Sequence, residues 1–366
     1  MANERLKKIW SNFRLPVFAV LLGFAVGAIC IVAAGSNPFI AYFALLKGSL
    51  GSLTSIGETM YKMTPLLFTG LSVALAFRCG LFNIGAEGQY IAGAISSVAA
   101  GWYFSWLPGY ILIPVIMFFG IFAGGIWGGF AGFLKARFGV HEVITTIMMN
   151  YIALNTSNLL VRTVLNPMNL IPGSKKEAFS VSVPEYAKLL KLRDIIPQFT
   201  YSSAHVGIFI GIVVAILIYY LLFKTTVGYE IRSVGFNPDA AEYGGISKKK
   251  NMMLSMFIAG GLAGFGGAVQ VTGLIYMVNQ VPSGPGYGFT GLSVALVGSS
   301  HPLGVIAGAL LFGILDNGSR QMQLAGIPKE ITGIIQAVIL IFIAGELIVK
   351  YLSDRKKSKL PVKEEE

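Results

Sequence analysis

Mostly apolar runs with few charges, many long enough to cross a lipid bilayer, recur between residues 15 and 350 of this chain. A helical crossing takes about 20 such residues. Backbone amides inside lipid find no water to bond, so a spanning segment must close its own hydrogen bonds, as an α-helix does. Charged residues make up only 12% of the chain, against about a quarter in soluble proteins, and water could not hide so much apolar surface. The runs fall at 15–35, 63–79, 88–106, 110–133, 143–162, 205–223, 251–273, 288–299, 302–320 and 330–350. A weaker stretch, 38–60, is expected to lie along the outer surface, and 288–299 is too short to cross alone. The expected fold is an all-α polytopic membrane protein with about ten transmembrane helices, some of them broken.

A formal charge of +11 would suggest nucleic acid as partner in a soluble protein. Here the basic residues gather at the ends, from Arg5 to Arg14 and over 350–363, and in short connections such as Lys135 to Arg137. Cytoplasmic segments beside anionic lipid carry this pattern, so membrane lipid and not nucleic acid is the expected partner. With 1–14 and 351–366 both cytoplasmic, an even number of spans puts 224–250 inside and 163–204 outside. The last assignment runs against five basic residues in that loop, but long loops obey the charge rule weakly. The run at 15–35 follows a basic start and so resembles a signal peptide; its 21 residues exceed the usual apolar core of about 7–15, and a retained first helix is expected. Cys30 and Cys79 lie in apolar surroundings and suggest neither a disulfide nor a metal site.

Small residues mark where helices should touch. Gly120, Gly124, Gly128 and Gly132 recur on one face of a span, and Gly260/Gly264 and Gly304/Gly308 repeat the spacing. In lipid, close backbone approach of this kind holds helices together. The hexapeptide GLSVAL occurs at 70–75 and again at 291–296, each copy followed by a glycine-rich break and then by IAGA, at 91–94 and 306–309. This internal pseudo-repeat relates the break at 78–90 to the one at 297–305, and discontinuous helices in transporter repeats often border the solute path. Both breaks also read as ordinary loops between spans.

Three groups of residues stand out as candidate function. In the first break, Phe82, Asn83, Glu87 and Gln89 sit among three glycines, where irregular backbone at membrane depth must be buried or line a watery cavity. The same segment also fits a cytoplasmic turn with a solvated Glu87. In the next span, Glu142, Thr145, Thr146 and Asn150 share one helical face with Met149; such a stripe either lines a pore or joins helices. Phe82, Tyr90, Tyr287 and Phe289 are aromatic groups near the breaks that offer faces for stacking on a planar solute, with packing as the alternative. The third group is the connection 224–250. Asn237 suits a helix cap, Pro238 the first helical position and Asp239 the positive end of the dipole, while Gly244 and Gly245 stop the helix. A short rigid lever between two spans is the expectation, with an ordinary surface loop as the alternative.

Residues 239–246, DAAEYGGI, resemble the cytoplasmic coupling motif of ABC importer permeases. With GLFNIGAEGQ at 80–89, HEVITTIMMNYIAL at 141–154 and the run from GLSVAL to HPLG at 291–304, the chain resembles the branched-chain amino acid/ribose permease family over about 15–350. Within it, the likeness is strongest to the permeases that import nucleosides with basic-membrane-protein-type lipoproteins. That resemblance implies one permease domain over 1–366, paired with a second, homologous permease, an ABC ATPase and an extracytoplasmic binding lipoprotein in the bacterial cytoplasmic membrane. It also implies that Asn237, Pro238, Asp239, Ala240, Ala241, Glu242, Tyr243, Gly244 and Gly245 couple the permease to the ATPase. No Gly-Lys dipeptide occurs, so the chain lacks a phosphate-cradling loop: it is not expected to be an enzyme or to carry a cofactor, and ATP would be used by the partner. A sugar or a branched-chain amino acid remains open as solute. Glu87, Glu142 and Asp316 leave room for an ion-coupled transporter, which needs carboxylates within the membrane.

Overall fold

The computed structural model describes residues 2–357, so Met1 and the 358–366 part of the expected cytoplasmic tail lie outside the described residues. Helices dominate, in the order α1 (Ala2–Ala33), α2 (Pro38–Leu50), α3 (Leu53–Arg78), α4 (Ala86–Tyr103), α5 (Gly109–Phe138) and α6 (Glu142–Thr163). Two one-turn helices follow, α7 (Pro167–Leu170) and α8 (Leu192–Ile195), and then α9 (Gly207–Lys224), α10 (Thr226–Phe236) and α11 (Pro238–Tyr243). The chain continues through α12 (Lys248–Gln270), α13 (Tyr287–Val297), α14 (Pro302–Leu324) and α15 (Glu330–Lys357). Contacts divide the chain into Leu45–Gly318 and a second unit made of Met1–Ala44 with Ser319–Glu366.

The larger unit is built on close backbone contact. Along α5, Gly120, Gly124, Gly128 and Gly132 are buried, while Phe118, Phe122, Ile126 and Phe130 on the opposite face are 46–59% exposed. Small residues inside and large apolar residues outside invert the soluble pattern; lipid solvates the outer face. The buried glycines of α5 meet Gly260 and Gly264 of α12 backbone to backbone, as their spacing predicts. In the smaller unit, Gly23 and Gly27 of α1 do the same work against α15. An added Cβ would stand 2.6 Å from Ile339 Cγ1 and 2.5 Å from Ile335 Cγ1 respectively.

Among the described residues, six helices are long and apolar enough to cross a membrane, within α1, α3, α5, α9, α12 with its extension to Ile275, and α14. The helix positions follow the expected runs, except that α1 already begins at Ala2 and α15 continues to Lys357, and three further differences occur. Residues 53–62, expected in the lateral surface stretch, begin α3, because the Ser52 hydroxyl accepts from the Ser55 N–H at 3.0 Å and starts the helix early. The connection 224–250 holds two helices, since Thr225 caps α10 as Asn237 caps α11. Past Gln270, α12 loosens into a π-turn, Val271–Ile275, which ends at Tyr276 with φ +55.

The long segment after α6 is ordered, though it carries little helix. Its backbone N–H groups at Ser180, Val183 and Leu189 donate to the carbonyls of Val278, Tyr276 and Thr272 at 2.8–2.9 Å. The prolines expected to exclude a simple helix open short turns, Pro167 at the start of α7 and Pro197 at the start of a 3₁₀ turn.

Candidate functional site

The two GLSVAL copies face one another across α3 and α13. A Cβ on Gly70 would stand 2.8 Å from Val294 Cγ1, and one on Gly291 would strike the Thr69 side chain. The breaks that follow them also meet: Arg78 Nε donates to the Ser300 carbonyl at 2.8 Å and Nη2 to that of Ser299 at 3.3 Å. Ser299 and Ser300 hold φ of +53 and +50, a left-handed backbone that costs a non-glycine residue energy and persists only where the surroundings impose it. The internal echo in the sequence thus corresponds to two helix–break–helix units in contact.

The first break is locked from within. Asn83 and Gln89 exchange side-chain amide bonds at 2.9 and 3.0 Å, and Asn83 also donates to Ser72 Oγ at 3.2 Å. Asn150 of α6 accepts from the Gly88 N–H at 2.8 Å and donates to the Ile84 carbonyl at 3.0 Å, so it satisfies the backbone where the helix is interrupted. Glu87 reaches to the other unit: its two carboxylate oxygens accept from the N–H groups of Gly286 and Gly288 at 2.7 and 2.6 Å. All four side chains are buried, between 0 and 7% exposed. Glu87→Ala would leave the buried Gly288 N–H unpaired, at about 1–3 kcal/mol, and the half-buried Gly286 N–H without its partner. We expect at least a tenfold loss of transport and a lower unfolding midpoint; transport at the wild-type rate would show that the link is dispensable.

The remaining expected residues make no hydrogen bond to this lock, although Phe82 belongs to the break and a Cβ on Gly85 would stand 3.0 Å from Thr146 Cβ. Glu142 forms an ion pair with Lys135 at 2.8 Å, at the turn between α5 and α6. Thr145 and Thr146 return their hydroxyl protons to the carbonyls of His141 and Glu142. Phe82 packs edge-on against Phe77, ring centroids 5.0 Å apart. The polar stripe of α6 therefore divides between the break and the α5–α6 turn. The three carboxylates that an ion-coupled mechanism would use all have partners: Glu87 the two N–H groups, Glu142 Lys135, and Asp316 the Lys62 ammonium at 4.0 Å.

Beside the end of the first break and the start of α13 lies a cavity of about 210 Å³, bordered by Tyr61, Tyr90, Asn158, Gln270, Pro285 and Tyr287 among others, with no charged residue in its wall. Tyr90 and Tyr287 meet at 66°, ring centroids 5.4 Å apart. Gln270 Nε2 donates to the Tyr61 hydroxyl at 2.9 Å. Gln270 is 2% exposed, and its Oε1 has no hydrogen-bond partner. Of the aromatic residues singled out from the sequence, Tyr90 and Tyr287 line this cavity, whereas Phe82 and Phe289 do not. A polar side chain near the end of an apolar span was the signal that could have found Gln270. Near Tyr61 stands His205, ring centroids 6.4 Å away, in the segment ahead of α9. Burial, then the Lys191 ammonium, lowers its pKa to about 4, so the imidazole is neutral. The Gly207 N–H donates to its Nδ1 at 3.1 Å.

At the far end of α9 the capped helix stands clear of the bundle. Oδ1 of the Asn237 side chain accepts from the N–H groups of Asp239 and Ala240 at 3.1 and 3.0 Å, and Gly245 closes α11 at φ +82. Lys248 binds both Asp239 and Glu242, at 3.2 and 2.7 Å. Phe236 and Tyr243 are 84% and 99% exposed, whereas Ala241 is buried. A groove of about 560 Å³ runs between α10 and α11, lined by Tyr229, Phe236, Asn237 and Ala240 among others. The same element touches the first break, where Gly235 lies against the Arg78 carbonyl and Gly80 against Gly235. α10 thus joins α11 to residues 78–80.

An apolar-coated helical bundle with interrupted helices inside and a capped lever at one end is a multi-pass membrane permease. The chain belongs to the branched-chain amino acid transport system / permease component family, whose profile matches residues 55–344. It is 38% identical to the guanosine ABC transporter permease protein NupP of Bacillus subtilis, over 95% of this chain and 98% of that protein. It is also 38% identical to the nucleoside ABC transporter permease protein NupB of Lactococcus lactis, over 97% and 96%. The glucose ABC transporter permease protein TsgB13 of Haloferax volcanii shares 30% identity over 95% of this chain and 91% of its own. As a permease component, the chain is a transport subunit rather than an enzyme.

Proposed function

We propose that this chain is the membrane permease of an ATP-driven importer of nucleosides. It works with a second, homologous permease, an ABC ATPase that binds and hydrolyses the ATP, and an extracytoplasmic binding lipoprotein. The observation that carries the solute class is the near end-to-end likeness to two nucleoside permeases. The cavity beside the first break agrees in its chemistry, because its uncharged, tyrosine-rich wall offers no partner for the charges of an amino acid.

In this arrangement ten helices cross the bacterial cytoplasmic membrane: α1, α3, α4, α5, α6, α9, α12, α13, α14 and α15, with α13 a half-length piece completed by 276–286. Both termini and 224–250 face the cytoplasm, and 163–204 faces outward to receive the solute. Residues 237–245 engage the ATPase. Phe82, Asn83, Glu87, Gln89, Glu142, Thr145, Thr146, Asn150 and Tyr287 belong to the path or to its frame. The hydrogen bonds of Asn83, Glu87, Gln89 and Asn150 suit a frame that holds the breaks open.

The test is uptake by the reconstituted permease pair, ATPase and lipoprotein, with labelled guanosine competed against other nucleosides, glucose and leucine. Unlabelled nucleosides are expected to suppress the signal while glucose and leucine leave it unchanged. The 30% identity to a glucose permease makes sugar uptake the result to watch: glucose accumulation without nucleoside uptake would overturn the assignment.

A further inference from the structure

We propose that the cavity between Tyr61, Tyr90, Tyr287 and Gln270 is a solute station within the permease, where a planar nitrogen heterocycle stacks on tyrosine and donates an edge N–H to Gln270 Oε1. The inference rests on the nucleoside reading above and assigns it a site and a mode of recognition.

Three features of the cavity converge. The first is aromatic geometry. Tyr90 and Tyr287 form a corner, one ring at 66° to the other, so a flat ligand lies along one face and presents its edge to the second, both favoured arrangements for π-systems. The second is the buried amide. Nε2 of Gln270 is already bonded to the Tyr61 hydroxyl, which fixes the side chain and leaves Oε1 as the acceptor with no partner. An unpaired buried acceptor is costly, about 1–3 kcal/mol, and a ligand that donates to it recovers that loss. A ligand without the donor does not, which makes such a group discriminating. The third is the absence of charge from the wall, which admits a neutral heterocycle and disfavours an ion.

The location fits transit. The wall includes Pro285 and Tyr287, on either side of Gly286, and Tyr90, three residues beyond Glu87. Glu87 binds the N–H groups of Gly286 and Gly288, so any shift between the two repeat units reshapes the tyrosine corner. The π-turn that follows Gln270 places an irregular segment at the same spot, a feature often found at functional sites. A ligand held here would be released when the two units move.

Inosine and 1-methylinosine are the probes. The base of inosine has a single N–H, at N1, and methylation removes it while keeping the ring and the ribose. Binding of each labelled nucleoside is measured on the purified permease–ATPase complex in lipid nanodiscs, without the lipoprotein, so that the permease's own selectivity is read. The wild type is expected to bind inosine about tenfold more tightly, the difference one well-placed hydrogen bond of about 1.4 kcal/mol makes. Gln270→Met, similar in volume but without the acceptor, should weaken inosine alone and bring the two affinities within about twofold. Tyr90→Leu should weaken both nucleosides alike. No inosine binding by the wild type at millimolar concentration would overturn the station, as would a Gln270→Met complex that kept its preference or lost both ligands equally. Nucleoside uptake with none of this discrimination removes the station alone, whereas uptake of sugar in place of nucleosides removes the proposed function with it.

Discussion

Deleting residues 237–245 is expected to reduce ATP-driven uptake to background while the chain still reaches the membrane and keeps its bundle. The segment lies at one end of α10 with Tyr243 fully exposed, and its loss leaves α3, α5 and α12 and their contacts in place. What goes is the lever. A finer version of the experiment is Asn237→Ala. Six-residue α11 is far below the length at which a helix holds itself, about 12–15 residues, so its caps carry much of its stability. Asn237 accepts two backbone N–H groups, and losing such a cap costs about 1 kcal/mol. That corresponds to roughly a fivefold drop in the formed helix. Uptake should fall several-fold and solute-stimulated ATP hydrolysis with it, measured on the reconstituted complex. Full uptake by the deletion would mean that force enters the permease elsewhere.

The second large effect belongs to the glycine seam. A Cβ on Gly264 would collide with the Gly120 carbonyl and come within 2.9 Å of Gly124 Cα, and one on Gly260 would collide with the Gly124 carbonyl. These are backbone neighbours, which cannot turn aside as a side chain can. Gly264→Val must therefore part α5 from α12. It also disturbs α4, because Gly93 lies against Gly264, and Gln89 Nε2 would be 3.1 Å from a Cβ on Gly128. Overpacking of this kind costs about 3 kcal/mol or more, and the Asn83–Gln89 lock would loosen with it. We expect poor yield of folded protein in membranes and a markedly lower unfolding midpoint in detergent. Gly333→Ala is the control, since a Cβ there meets nothing within 4 Å, and its midpoint should stay at the wild-type value. Equal midpoints for the two variants would contradict the seam.

The parts of this fold that follow from solvation were legible in the sequence. Lipid imposes length and apolarity on a span, so the expected 143–162 and 302–320 appear as Glu142–Thr163 and Pro302–Leu324. Caps are local chemistry, and Asn237 with Pro238 placed the start of α11 correctly. α10 is amphipathic and reads in the sequence as one helix with α11; the turn that parts them, at Asn237, shows there only as the cap of α11, and α10's own cap is a single threonine, Thr225. The candidate site was legible in location and less so in role. Asn83, Glu87, Gln89 and Asn150 were singled out as polar groups at membrane depth, and they do cluster at the break. Their hydrogen bonds turn inward, to one another and to the backbone, and spacing along a chain says nothing of which partner a side chain finds. Tyr61 and Gln270 come together from α3 and α12, 209 residues apart; only tertiary packing makes them neighbours.

The central claim is that this bundle has no motor of its own and is driven through α11 by the hydrolysis of ATP on another subunit. Proteoliposomes holding the full complex, with ATP on the ATPase side and proton and sodium gradients abolished by ionophores, test it most directly. The account predicts nucleoside accumulation that needs hydrolysable ATP and vanishes when 237–245 are deleted. Accumulation driven by an ion gradient without ATP, in wild type and deletion alike, would contradict it.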